Sequence, residues 1–560
     1  MSDAGQRQGG DAPEEPTRKL QQPPGPGLDQ ATVRMQRPQP MRVGPVPPGK
    51  PQPQVFPVGP TVPARKPEEA APAAAPAEPA VTEDTAEEAP PAKKKGRRVA
   101  LALTALVVVA GLAVGGVFYG PQVLRAVGLG GIVEDATPAP APPAQFRAAL
   151  RPLGAQGPLP TKQGVSAALS GPAAAGVLGT LGGIVVDPAS GDVLWDKSAS
   201  TAMVPASTAK IITSAAALLA LDPQATLTTK VVEGPEPGTV VLVGGGDPTI
   251  SGGAKGFYPG AAKLDDLVAK VKAATGGQQV RKVRVDTSAY AGDTKGPGWM
   301  GADMDGQGDD YAAPMEPVML DGGRLVVTNG DSARTTTPAR SAAGKLAERL
   351  GVSGGASPGT APPNARVLAE VQSPPIRQLV ETLLLTSDNV LAEAMARQVA
   401  MATGAEVSFA GGAKAVHDVL TRNGFDLSGI TLVDGSGLST QNKVSPKLLG
   451  SVLAAASAPS SGPNAERTAK LRALLTGLPV AGGSGTLAER YGSGTATTGK
   501  GWVRAKTGTL NGINSLAGIV TDNDGKLLVF AFLGNGTGAN ADARAALDVL
   551  ASALRSCGCR

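Results

Sequence analysis

Histidine occurs once in this 560-residue chain and cysteine twice, and aromatic residues make up only 3% of it. A histidine-rich metal centre is therefore excluded. The same scarcity disfavours a histidine-based catalytic triad, because His417 sits in a helical pattern (413–420), far from any serine motif, and reads as a solvated helix residue. Cys557 and Cys559 both lie at the extreme C-terminus. Outside a cell they should oxidise, yet two residues apart they would close a strained ring, so a link to another chain is as open as an internal one. Neither pairing bears on catalysis. Two ligand motifs also fail on inspection. Gly494 to Lys500 has the spacing of a phosphate-binding loop, but Gly501 follows where a magnesium-binding hydroxyl belongs. Asp303, Asp305, Gly308 and Asp309 have the look of a calcium loop, but Gln307 and Pro314 stand at the positions of two of its ligands, so an acidic turn is expected. No metal and no cofactor are expected.

What the chain has in abundance is glycine (75) and proline (50), unevenly spread. Residues 1–92 hold segments such as Pro23-Pro24-Gly25-Pro26 and Ala70-Ala71-Pro72-Ala73. With few branched apolar side chains, this stretch cannot bury enough surface to offset the entropy of ordering, and it reads as a disordered tail. At 93–98 comes Lys93-Lys94-Lys95-Gly96-Arg97-Arg98, then an uncharged apolar run over 99–120. About 20 apolar residues span a bilayer, so this run is expected to be a single transmembrane helix. Its distance from the N-terminus argues for a retained anchor. The preceding basic cluster puts the tail in the cytoplasm and everything after Gly120 outside the cell membrane. The net charge of +5 owes much to that cluster, so it implies no nucleic-acid partner. Residues 121–177 are again rich in Pro, Ala and Gly and read as an extracellular linker, with folding proper expected from about Leu178.

Three motifs follow in order: Ser207-Thr208-Ala209-Lys210, Ser387-Asp388-Asn389 and Lys506-Thr507-Gly508-Thr509. Singly, each also reads as helix capping or strand propensity; in this order they read as an active-site serine enzyme acting on acyl-D-alanine or β-lactam carbonyls. Ile211, Ala215, Leu218 and Leu219 recur at helical spacing, placing Ser207 at the start of a buried helix, whose positive end suits an oxygen gaining charge. Lys210 is one turn on and within reach of the serine hydroxyl. It works as a base only if burial or a nearby cation, for which Lys506 is the candidate, disfavours its ammonium. Ser387 opens a second helix, from Asn389 to about Ala402; its hydroxyl would pass a proton to the leaving amine while the Asn389 amide binds the substrate backbone. Lys506 to Thr509 stand on the first strand of an antiparallel meander, where Lys506, Thr507 and Thr509 would receive a terminal carboxylate. The amides of Thr509 and Ser207 would form the oxyanion hole.

With Gly244-Gly245-Gly246-Asp247-Pro248-Thr249, Asp434-Gly435-Ser436-Gly437-Leu438-Ser439, Gly485-Thr486-Leu487 and Val503-Arg504-Ala505 added, the chain resembles the penicillin-binding protein and serine β-lactamase superfamily. Within it, the resemblance is to D-alanyl-D-alanine carboxypeptidases and endopeptidases of the penicillin-binding protein 4 type, peptidase family S13. It covers roughly 178–555 and implies an α/β (α+β) fold, a β-lactamase/transpeptidase-like antiparallel sheet flanked by helices. It implies peptidoglycan stem peptides as substrates and β-lactams as ligands. The long stretch between Ser207 and Ser387 implies a smaller inserted α/β domain, placed at 230–370 between the catalytic segments 178–229 and 371–560. Strands at 240–243 and 280–285 and a helix at 263–274 are expected in it. Two other functions stay in view: a serine β-lactamase, for which no Glu-x-x-Leu-Asn segment is found, and a non-catalytic wall-binding or sensor protein on the same fold.

Overall fold

The computed structural model describes residues 157–307 and 310–558. The tail, basic cluster and apolar run expected at 1–120 lie outside these residues, as do most of the linker and Cys559. Among the described residues no helix is long and apolar enough to cross a membrane.

Order begins earlier than proline and glycine content suggests. Lys162–Ser170 is a helix, α1, capped by the Thr161 side chain, which accepts from the Gly164 amide at 3.0 Å. Its Val165 and Leu169 are buried at helical spacing, so this part of the expected linker belongs to the folded body. The linker reading weighed composition and overlooked this short apolar stripe.

A hairpin turning at Pro188 to Gly191 forms from β1 (Thr180–Val186) and β2 (Val193–Lys197). The chain then enters α2 (Ala209–Ala220) and leaves for a second sheet: β3 (Thr228–Glu233), β4 (Thr239–Val243), α3 (Leu264–Ala274), β5 (Lys282–Asp286), α4 (Pro338–Leu350), β6 (Ala356–Pro358) and β7 (Val367–Gln372). Its order is β6-β5-β4-β3-β7, with β4, β5 and β6 parallel and β3 antiparallel to both neighbours. Because β3 pairs with β7, the excursion starts and ends at adjacent strands. The helices α3 and α4 bury an apolar stripe, Leu267, Val271, Ala343 and Leu346 among them, against this sheet.

Back in the main body come α5 (Ile376–Thr386), α6 (Asn389–Thr403), α7 (Phe409–Arg422), α8 (Pro446–Ser457), and the short α9 (Ala465–Leu471) and α10 (Ala473–Gly477). The chain closes with β8 (Val503–Leu510), β9 (Ile513–Thr521), β10 (Leu527–Asn535) and α11 (Asn540–Arg555). The main sheet has the order β2-β1-β10-β9-β8 and is antiparallel throughout. One face carries a core shared with α2, α5, α6 and α8; the other is covered by α1 and α11. Strand alternation divides the residues between them: Ala531 and Leu533 face the first core, Phe530 and Phe532 the second. The expected meander thus stands with β8 at the sheet edge.

If α1 is part of this body, Leu169→Ala lowers the unfolding free energy by about 2–5 kcal/mol, the usual range for a buried leucine. Urea denaturation followed by circular dichroism checks this, and an unchanged midpoint would return the segment to the linker.

Candidate active site

Four segments converge at one end of the main sheet. The first is the turn before α2. Ala206 there adopts φ +47° although it is not glycine, and it is fully buried. A strained residue persists only where its surroundings fix it. They do so here: the Asn535 side chain takes the Val204 amide at 2.9 Å and returns a bond to the Val204 carbonyl at 3.1 Å. Ser515 and Thr208 hydroxyls both donate to the Pro205 carbonyl, at 2.7 and 2.6 Å. Strand β8 runs against this turn, and a Cβ on Gly508 would stand 2.8 Å from the Pro205 oxygen and 3.0 Å from the Ser207 nitrogen. Only glycine lets the edge strand approach Ser207 so closely.

Lys210 points back along α2 into a sealed space. Its Nζ lies 2.9 Å from Ser207 Oγ, 2.5 Å from Asn389 Oδ1 and 2.7 Å from the Ser436 carbonyl. A neutral amine has two hydrogens and one lone pair. Two carbonyl-type acceptors take two hydrogens in either protonation state, and the Ser207 hydroxyl, which accepts from the ammonium, can donate to the lone pair of the amine. Burial lowers the lysine to about 8, against the pull of Asp434, Glu393 and Asp388. Of the two causes expected, burial or a nearby cation, burial is therefore the one that lowers Lys210. The repulsion between the two lysines acts on Lys506, which burial and the charge of Lys210 together hold well below the ordinary lysine value.

Ser387 and Asp388 form the joint between α5 and α6. Ser387 sits in the left-handed region at φ +60°, which turns its hydroxyl toward Lys506 Nζ at 2.8 Å. Asp388 does cap α6, accepting from the Leu391 amide at 2.8 Å through Oδ1. Its Oδ2 meets a partner that sequence reasoning missed: Arg324, from the excursion, at 2.7 Å, with Tyr258 donating at 2.9 Å. Both charged side chains are almost fully buried. Burial alone would raise the Asp388 carboxyl, but Arg324 and Arg334 hold it well below the usual carboxylate range. The Arg324 guanidinium also lies 3.6 Å over the Phe257 ring, a cation–π contact.

Asn389 binds more of the protein than expected. Besides Lys210, its Nδ2 reaches the Tyr311 carbonyl at 2.9 Å, which leaves one amide hydrogen for a ligand. On β8, Lys506 Nζ is bonded to the Thr507 carbonyl at 2.8 Å, the Thr507 hydroxyl pairs with that of Thr486 at 2.8 Å, and the Thr509 hydroxyl reaches Asn514 Oδ1 at 3.2 Å. The Ala505 amide bonds outward to the Pro479 carbonyl at 3.0 Å. By strand alternation the amides of Thr507 and Thr509 also point away from β9, toward the cleft. All eight residues singled out in the sequence, Ser207, Lys210, Ser387, Asn389, Lys506, Thr507, Gly508 and Thr509, thus belong to one cluster.

Removing one partner strands the other charge in the interior. Arg324→Met is expected to lower the unfolding free energy by about 3–5 kcal/mol, and adding Asp388→Asn to recover part of that. Urea titrations of the two variants measure it; a loss under about 1 kcal/mol would mean water reaches the pair.

The model of the D-Ala-D-Ala carboxypeptidase 3 (S13) family matches residues 165–347 and 328–554. Carboxypeptidase DacB of Mycolicibacterium smegmatis is 45% identical over 439 residues, covering 76% of this chain and 91% of the relative. A carboxypeptidase of Mycobacterium tuberculosis is 44% identical over 430 residues, covering 75% and 90%. Among solved structures, penicillin binding protein 4 (dacB) from Haemophilus influenzae superposes with a TM-score of 0.55 at 24% identity, covering 69% of this chain and 97% of that one. This last likeness bears on the fold.

Proposed function

We propose, for a chain that belongs to the D-Ala-D-Ala carboxypeptidase 3 (S13) family, that its peptidase chemistry runs through an acyl-enzyme on Ser207. That it is a D-Ala-D-Ala carboxypeptidase follows from the family and its relatives. The observation that carries the finer reading is the Lys210 amine, with two acceptors for its hydrogens and Ser207 Oγ 2.9 Å away.

In this reading Ser207 Oγ gives its proton to the lone pair of Lys210 and attacks the carbonyl carbon between two D-alanines. The developing oxyanion sits between the amides of Ser207 and Thr509, a donor pair of which each member is worth roughly 2.7–4 kcal/mol in comparable sites. The terminal carboxylate lies against Thr507, Thr509 and Lys506. Its arrival favours the ammonium form of Lys506, and the repulsion between the lysines then favours a neutral Lys210. The ligand thereby primes the base. As the C–N bond breaks, the Ser387 hydroxyl passes one proton to the leaving amine and regains one from Lys210, which returns to the free amine as D-alanine departs. Water then attacks the ester and gives a proton to Lys210, which hands it to Ser207 Oγ as the acyl bond breaks and the stem peptide leaves.

The same carbonyl geometry supports β-lactams as ligands that acylate Ser207 and stay. The basic cluster at 93–98 and the apolar run at 99–120 support a single-pass anchor with the catalytic body outside the cell membrane, acting on peptidoglycan.

Intact mass against time, with benzylpenicillin and the full-length protein, is expected to show one lasting adduct that Ser207→Ala abolishes while retaining its circular dichroism spectrum. Label on Ser207→Ala would sink the nucleophile assignment, and rapid drug hydrolysis without an adduct would favour a β-lactamase. The acylation rate should also fall as pH drops through about 8, where Lys210 gains its proton. Between pH 7 and a plateau above pH 9 the rise is roughly tenfold, the neutral fraction of a group one unit below its midpoint. A flat profile over that range would remove Lys210 as the base.

A further inference from the structure

Both acceptors for the hydrogens of Lys210 trace back to one helix face. Asn389 on α6 provides the first directly. One turn along the same face is Glu393, fully buried and not part of any motif read in the sequence. A single carboxylate oxygen of Glu393 accepts from the amides of Gly435 and Ser436, at 2.9 and 2.8 Å. The carbonyl of that same Ser436 is the second acceptor for Lys210, at 2.7 Å. The preceding carbonyl, of Gly435, takes the Thr213 hydroxyl from α2 at 2.6 Å. The loop is thus pinned from α6 on its amide side and from α2 on its carbonyl side.

The approach is as close as a backbone allows. A Cβ on Gly435 would lie 2.8 Å from Ala396 Cβ and 3.0 Å from the Ala392 carbonyl. Further round the loop, Asp434 accepts from the Gly437 and Ser439 amides, both at 2.7 Å, and from Trp299 Nε1 at 3.0 Å. The outer oxygen of Glu393 has only Arg397 at 3.5 Å, one turn on, and that guanidinium packs over Phe409 at 4.1 Å. A buried carboxylate with so distant a counter-ion is a poor stabiliser, because desolvation outweighs a long ion pair. Its two short amide bonds, aimed at the peptide that touches the base, suggest what it does instead.

We propose that Glu393 is a positioning residue for the base: by holding the Ser436 peptide it aims that carbonyl at one hydrogen of Lys210 Nζ and leaves the lone pair for the Ser207 hydroxyl. This rests on the reading of Ser207 and Lys210 as nucleophile and base. Its charge acts at the same place. Lys210 is faced by the carboxylates of Asp434, Glu393 and Asp388 and by the Lys506 amine; Glu393 itself is faced by Asp434, Arg397 and Tyr290. Burial and the neighbouring Asp434 push the Glu393 carboxyl up from the ordinary glutamate range. An anion beside Lys210 favours the ammonium, so removing that anion makes the lysine easier to deprotonate.

The test is the second-order acylation rate constant with benzylpenicillin, measured from pH 6 to 10 on full-length wild type, Glu393→Gln and Glu393→Asp, with melting temperatures alongside. Glu393→Gln keeps an oxygen acceptor and loses the charge, so its acid limb should move to lower pH while the plateau stays within a few-fold of wild type. Glu393→Asp keeps the charge but falls one methylene short of the two amides, so its plateau should drop at least tenfold with the limb in place. A residue that served packing alone would lower the melting temperature and leave the limb unmoved. An unmoved limb in Glu393→Gln or a wild-type plateau in Glu393→Asp overturns the proposal; if Glu393→Asp does not fold, the limb of Glu393→Gln decides. Label surviving on Ser207→Ala is the separate result that would overturn the reading on which it rests.

Discussion

A primary amine sealed from water, with three oxygens around it, is the constraint to which the rest of the site answers. As an ammonium in that space, Lys210 is disfavoured by burial and has no lone pair to offer; as an amine, it has a lone pair with one direction free. Each oxygen comes from a different part of the chain: the turn before α2, the start of α6 and the Asp434–Ser439 loop. The local economies of the fold follow from bringing these parts to one point. Glycine stands at 508 and 435 because backbones meet there, and the turn tolerates a positive φ at Ala206 because Asn535, Ser515 and Thr208 grip its neighbours.

The electrostatics are arranged by distance in the same way. Two lysines share the cleft, and three carboxylates stand behind Lys210. One of them, Asp388, is committed to Arg324, so its negative charge is partly offset before it reaches the amine. The basicity of Lys210 is thus a balance between burial and a partly neutralised acidic wall, and a carboxylate ligand on the far side can tip it.

Much of this was legible in the sequence, and the pattern of what was missed is physical. The helix after Ser207, the helix from Asn389 and the β8–β10 meander carry strong periodic signals, and their motifs place the eight candidate side chains. Three things left no comparable trace. The acceptor on Ser436 is a backbone carbonyl, which any residue could supply. Glu393 reads as one polar position in an amphipathic helix, since nothing local says that it is buried. Arg324 lies in a glycine-flanked turn of the excursion, where neither period nor cap singles it out, and only the fold brings it to Asp388. Helix α1 was passed over for a related reason, because a two-residue apolar stripe counts for little in a proline-rich stretch until something covers it.

The ion pair between Arg324 and Asp388 joins a side excursion to the joint between α5 and α6, and such a link works in both directions. The excursion leaves and returns on paired neighbours, β3 and β7, so closing it asks little of the rest of the body. Yet the turn carrying Ser387 has its full set of contacts only once the excursion has folded and delivered its cation. By mass action, any occupant of the cleft that requires the turn in place also withdraws molecules from the population in which the excursion is loosened. Protection against amide exchange would then spread into strands that never approach the scissile bond, and the inserted segment would register, as a change in its own breathing, whether the enzyme is empty or engaged.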